Sequence, residues 1–193
     1  VILAGVLNVG AGIYSLMMFR SSNFKTFKQL LDLTYASQRD QELLIALTQS
    51  DWDYADPISW AAHVRHDTLP GLDGLPMAPK PMILQEAIGD SQVPNLATRV
   101  LARAYQVPLL VPSVQPVPQL PTTGPGVDAA YVQWDVGVTP PAPGNAVPQV
   151  DSQAHGRVRK IPQLVEQLRR FLAPGGVVEN TCDGACSFPG FVE

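Results

Sequence analysis

The stretch from Pro81 to Thr98 constrains this chain most. Met82-Ile83-Leu84 is a short apolar run that reads as a buried strand. Gly89-Asp90 breaks the strand. After Val93-Pro94, Leu96, Val100, Leu101 and Tyr105 recur at helical spacing. The order strand, tight turn, helix places the Asp90 carboxylate at the C-terminal end of a strand. In open α/β sheets that edge is where sites are built.

A second unit of the same kind follows. Ala130–Trp134 reads as a strand, a long loop comes next, and His155 lies on the loop before a helix over Ile161–Leu172. An acid after one strand and a His after the next are the last two members of a hydrolase triad in the order Ser, Asp, His. On these residues the chain resembles the C-terminal half of an α/β-hydrolase, of the bacterial serine esterase or lipase-like kind. The motifs are strand–Gly89-Asp90-x-x-Val93-Pro94–helix and strand–long loop–Ala154-His155-Gly156–helix. In that family the acid follows the seventh strand and the His the eighth. The resemblance runs from Val1 to about Leu172. It implies an α/β fold class, the C-terminal half of a mostly parallel hydrolase sheet with flanking helices and a helical cap insertion. It also implies that residues 1–193 are part of one such domain.

Val1–Leu7 reads as a buried parallel strand with no lead-in, the sixth strand of the family pattern. Asn8–Ser15 is then a Gly-containing loop at its C-terminal end. Met17–Gln49 is mostly helical: Phe24, Phe27, Leu30, Leu31 and Tyr35 share one spacing, and Leu43, Leu44 and Leu47 another. Residues 14–50 are either a cap over the site or two helices packed on the sheet. Met17-Met18-Phe19 would line an acyl pocket in the first case and belong to a core in the second. Asp56 and Pro57 mark a further helix start, as N-cap and first helical residue. Val107–Pro112 contains a candidate short strand. Residues 108–128 and 138–154 are Pro-rich loops without periodicity, of the kind that is functional or mobile. Residues 174–193 form a tail.

Composition excludes some classes. One domain suits 193 residues. A net charge of −4 with no basic patch argues against nucleic acid as partner. Arg157, Arg159, Lys160, Arg169 and Arg170 read as a solvated helix face and helix-end charges. No apolar run reaches the ~20 residues that span a bilayer. His63 and His66 can share a helix face, but only Asp67 offers a close third ligand, so helix-end histidines are the expectation and no metal or cofactor is assigned. Cys182 and Cys186 flank three residues including a Gly, which suits a small disulfide loop. That pairing points to an oxidising compartment, secreted or periplasmic.

The chemistry needs an activated hydroxyl, an imidazole to carry its proton, and a buried carboxylate to hold the imidazole. Asp90 and His155 fit the last two roles. A turn Asp and a helix-capping His are the plain alternatives. Asp135, at the end of a strand, competes as the acid; Asp151 lies too close to His155 on the same loop. Gly-x-Ser-x-Gly does not occur, and Ser15 and Ser91 lack its glycines. The resemblance puts the nucleophile just upstream of Val1. It therefore implies a companion chain or upstream half carrying the serine and oxyanion hole, acting on a small hydrophobic ester. A binding module on the same fold, or a hydrolase with an Asp nucleophile, remains open at this point.

Overall fold

The computed structural model describes residues 3–191. Five strands form one sheet: β1 (Gly5–Asn8), β2 (Met82–Ala87), β3 (Leu109–Leu110), β4 (Thr122–Thr123) and β5 (Ala129–Trp134). Their spatial order is β1-β2-β5-β3-β4, and every pairing is parallel. This is an α/β fold. All strands point the same way, so the turns after β1, β2 and β5 share one edge.

The central strands explain their own composition. All six residues of β2 and all six of β5 are buried, which requires apolar or fully paired side chains on both faces. Successive residues alternate between two cores, as a period of two demands. Ile83, Ala130, Val132 and Trp134 face α6 (Ala154–Val158) and α7 (Pro162–Phe171), meeting Ala154, Val158, Leu164 and Phe171. Met82, Leu84, Ala129 and Tyr131 face α5 (Asn95–Ala104), meeting Leu101, Ala102 and Tyr105. The buried positions on α5 and α7 are the ones their periodicity marks.

β1 differs from the buried strand expected over Val1–Leu7. It begins at Gly5, its four residues are only half-buried, and Leu3 is 80% exposed; Val1 and Ile2 lie outside the described residues. The reason is position: among the described residues β1 pairs with β2 alone and forms a sheet edge.

Between β1 and β2 the chain is helical, starting earlier than Met17. α1 (Tyr14–Met18), a short 3-10 turn at Ser22–Phe24, α2 (Lys25–Thr34) and α3 (Gln38–Trp52) precede α4 (Pro57–Arg65). Met18 and Phe19 pack with Leu31 and Ile45 in a small core of their own, apart from the two sheet cores. That separate core holds α1–α3 together as a unit. Asp56 caps α4 by accepting the Ile58 N–H, with Pro57 at the first position.

The candidate strand at Val107–Pro112 is present as β3. Two expectations need correction. The 108–128 segment is not wholly irregular, because β4 also extends the sheet beyond β5. His155 is not on a loop but in the first turn of α6, a helix of five residues too short to show periodicity. The tail packs against the sheet. Val178 and Cys186 are buried in the β5 core, Phe188 stacks on Trp134, and Phe191 packs beside them. Cys182 and Cys186 are bonded, with an S–S distance of 2.02 Å.

Candidate active site

The turn after β2 is built from its backbone upward. Gly89 has φ +75°, a region that side chains other than glycine occupy at a cost. It also has no room: a Cβ there would lie 2.7 Å from Val138 Cγ2. Asn95, at the start of α5, staples both ends of the turn. Its Oδ1 accepts the Gly89 N–H at 2.8 Å and its Nδ2 donates to the Ala87 carbonyl at 2.6 Å.

The turn presents Asp90, whose side chain is 1% exposed. Oδ1 accepts the backbone N–H groups of Gln92 at 2.8 Å and Val93 at 3.0 Å. This is the turn-Asp role weighed as the plain alternative, and it occupies only one oxygen. Oδ2 meets His155 Nδ1 at 2.8 Å. The two residues, on turns that follow neighbouring strands, therefore touch. A carboxylate can only accept, so Nδ1 carries the proton and Nε2 is left as a basic acceptor. The His155 side chain is 17% exposed and Nε2 has no hydrogen-bond partner among the described residues.

A second contact sets the imidazole in place. Ser91 Oγ donates to Asp151 Oδ1 at 2.9 Å and accepts the Ser152 N–H at 2.9 Å. Gln92 Nε2 reaches Asp151 Oδ2 at 2.7 Å. The loop before α6 is thus clasped to the residues immediately after Asp90. Gln153, in the left-handed region at φ 64°, then turns the chain into α6 so that His155 points back. Asp151 is held below its usual range: burial raises it, but hydrogen bonds from Gln153 N–H, Gln92 and Ser91 and the nearby His155 outweigh that. Asp151 is thus a fastener, not the acid. Asp135 also has other work. It accepts from Ser187 Oγ at 2.9 Å and from the Gly137 N–H at 2.7 Å, tying the tail to β5.

The helical segment from α1 to α3 is fixed to the same turn and to the loop after β5. The Ser22 N–H donates to the Ser91 carbonyl at 2.7 Å, and Asn145 Nδ2 donates to Glu42 Oε1 at 3.0 Å. Met17 does not face Asp90 but a separate apolar hollow with Tyr14, Trp52 and Pro57. His63 and His66 are occupied elsewhere: His63 Nδ1 lies 2.6 Å from the Asp67 carbonyl and His66 Nε2 2.9 Å from the Tyr105 carbonyl. Arg157 is not a solvated helix-end charge, since it contacts the carbonyls of Val136 and Phe191. Among the described residues there is no group of three or more His, Cys, Asp or Glu side chains able to hold a metal ion.

Sequence reasoning missed Asn95, Ser91 and Ser152. Asn95 carried a local signal, as an amide following a Gly turn and Pro94. The Ser91–Asp151 clasp joins residues 60 positions apart and leaves no periodic or motif trace. No protein-family model, curated protein or solved structure matches the chain.

Proposed function

We propose that this chain supplies the acid and the imidazole of a serine carboxylic-ester hydrolase. The carrying observation is the His155 Nδ1–Asp90 Oδ2 contact at 2.8 Å, made by side chains on the C-terminal edge of a parallel sheet. His155 Nε2 takes the proton of an attacking hydroxyl and returns it to the leaving alcohol. Asp90 holds the imidazole in the tautomer that makes Nε2 basic, and stabilises the imidazolium that forms. The two backbone N–H bonds to Oδ1 keep the carboxylate in position.

The nucleophile in this reading comes from outside the 193 residues. Ser91, beside Asp90, is committed to Asp151 and Ser152 and is 1% exposed, so it cannot approach Nε2. Among the described residues β1 is open on its outer side, where a neighbouring strand would bring the serine turn onto the same edge. A companion half thus completes sheet and site together. The disulfide supports an oxidising compartment, outside the cell or in the periplasm. Among the described residues no helix is long and apolar enough to cross a membrane.

The test is His155→Ala and Asp90→Asn in the intact protein, assayed on a simple aryl ester. Loss of the imidazole should lower kcat by ~10²–10⁴-fold or more, with the circular dichroism spectrum retained. Asp90→Asn should also cost heavily, because the amide favours the wrong tautomer. Near-normal turnover by a folded His155→Ala protein sinks the reading.

A further inference from the structure

Beside Asp90, with His155 not part of its lining, lies a cavity of about 340 Å³ that the reaction above does not use. Its walls are apolar: Pro94 and Leu96 at the start of α5, and Pro140, Pro141 and Pro143 from the loop after β5. Set into those walls are two guanidinium groups, Arg20 after α1 and Arg99 on α5.

Arg99 is anchored from behind. Its Nε lies 2.9 Å from Glu86 Oε1, and Nη2 lies 3.4 Å from Oε2. Glu86 is fully buried in β2 and also accepts from Gln133 Nε2 at 3.1 Å. The guanidinium is thereby fixed, with Tyr131 as a further neighbour. Arg20 has one long contact, Nη1 to the Leu16 carbonyl at 3.5 Å, and its Nε and Nη2 make no hydrogen bond among the described residues. Burial lowers the Arg20 guanidinium, and the attraction of Glu42 only partly offsets this. Glu42 itself is bonded to Asn145 and Gln38. The one acid on the lining, Asp90, has both oxygens in use. The cavity therefore holds the unspent donors of Arg20 beside the anchored cation of Arg99, and no unspent anion, inside a wall of proline.

We propose that this cavity binds the carboxylate of a small ligand with an aliphatic stem, held between Arg20 and Arg99 with the stem against the prolines. Planar donor forks match carboxylate geometry, and the cavity is at the small end of the range that holds organic ligands. The carboxylate belongs either to a free acid or to the far end of an ester substrate. The second case rests on the hydrolase reading; the first does not.

Binding is measured by calorimetry on the intact protein with hexanoate and with hexan-1-ol, which keeps the stem and lacks the charge. Hexanoate should bind at least about tenfold more tightly than hexanol, and Arg20→Gln should remove about tenfold of that affinity with the fold unchanged. Arg20→Lys should recover part of it. Arg99→Lys, which keeps a charge for buried Glu86, should weaken binding as well. Equal affinity for acid and alcohol, no hexanoate binding, or an Arg20→Gln protein that binds as well as wild type overturns the proposal. Each result stands whether or not the protein hydrolyses esters. If it does, a larger loss of kcat/KM in Arg20→Gln for a hemi-ester of a dicarboxylic acid than for its neutral diester assigns the carboxylate to the substrate. Equal losses, with hexanoate binding intact in wild type, assign it to a free acid.

Discussion

Asp90 serves two masters with its two oxygens, and that division depends on Gly89. Only a residue tolerant of positive φ and lacking a Cβ lets the turn close against Val138. Gly89→Ala should therefore cost ~2 kcal/mol or more in urea unfolding and lower activity further, by displacing Asp90 from His155. An unchanged unfolding midpoint would mean that the turn is looser than its contacts imply. Ser91 offers a contrast, since it acts on the imidazole only through the loop. Ser91→Ala leaves Asp151 and the Ser152 N–H each short of a partner. We expect kcat to fall about tenfold with KM nearly constant, as a small misplacement of a catalytic group does. A rise in KM alone would assign Ser91 to substrate binding instead. Asp90, His155 and the glycine were legible in the sequence because each belongs to a local pattern. Their fastenings were not, because a hydrogen bond between residues 60 positions apart has no local signature.

Periodicity worked for elements long enough to show it. β2, β5, α5 and α7 fall where their apolar spacing puts them, within a residue or two of each end. β3 lies within the candidate strand at Val107–Pro112, but periodicity was silent on β4, two residues long, and on α6, where tertiary contacts impose the conformation. The polar residues inside the sheet were equally silent. Asn8 Nδ2 donates to Gln85 Oε1, Gln85 Nε2 to Gln167 Oε1, and Gln167 Nε2 to the Glu179 carbonyl, a relay from the edge strand to the tail. Gln85 and Gln167 are fully buried, yet nothing in their spacing announces it.

Asp56 ties two elements in the same manner. It caps α4, and it also accepts the N–H groups of Ile13 at 2.9 Å and Tyr14 at 2.6 Å, anchoring the start of α1 to α4. Burial alone would raise its carboxyl. Hydrogen bonds from Gln49 and from the backbone of Ile58, Tyr14 and Ile13 hold it below its ordinary 3.8. A depressed acid contributes stability that is full above the unfolded value and lost as pH falls through the folded one. Unfolding measured against pH should thus show a loss below about pH 4, shallower in Asp56→Asn. An identical acid limb in the two proteins would remove Asp56 from the account.

At the scale of the whole molecule, the apolar surface is unevenly spent. β2 and β5 are buried on both faces, while β1 is half-buried and open along its outer edge among the described residues. The helices α2 and α3 leave Leu30, Leu33, Leu43 and Leu47 between 58% and 85% exposed. Leu3, just before β1, is 80% exposed. An unpaired parallel edge with exposed leucines is an aggregation hazard, since its N–H and C=O groups are a template for another strand. Parallel strands are normally flanked and covered. The three apolar runs read as strands in the sequence correspond to β1, β2 and β5. The two short strands β3 and β4 lie on the far side, beyond β5, and so leave the β1 edge unrelieved.

The companion half invoked for the nucleophile would solve this problem too, by pairing with β1 and covering Leu3. Its interface should then be of obligate size, roughly 2,000 Å² or more, and apolar at its centre. The expected result is that the active protein, purified under native conditions, carries additional polypeptide beyond these 193 residues, continuous with them or separable only on denaturation. Val6, on β1, should lose hydrogen-exchange protection when that part is removed, while Leu84 on β2 keeps it, because only the edge strand loses a neighbour. If the 193-residue chain alone is a monodisperse monomer with β1 as protected as β2, the edge needs no partner. The companion half, and with it the external serine, would then have to be given up.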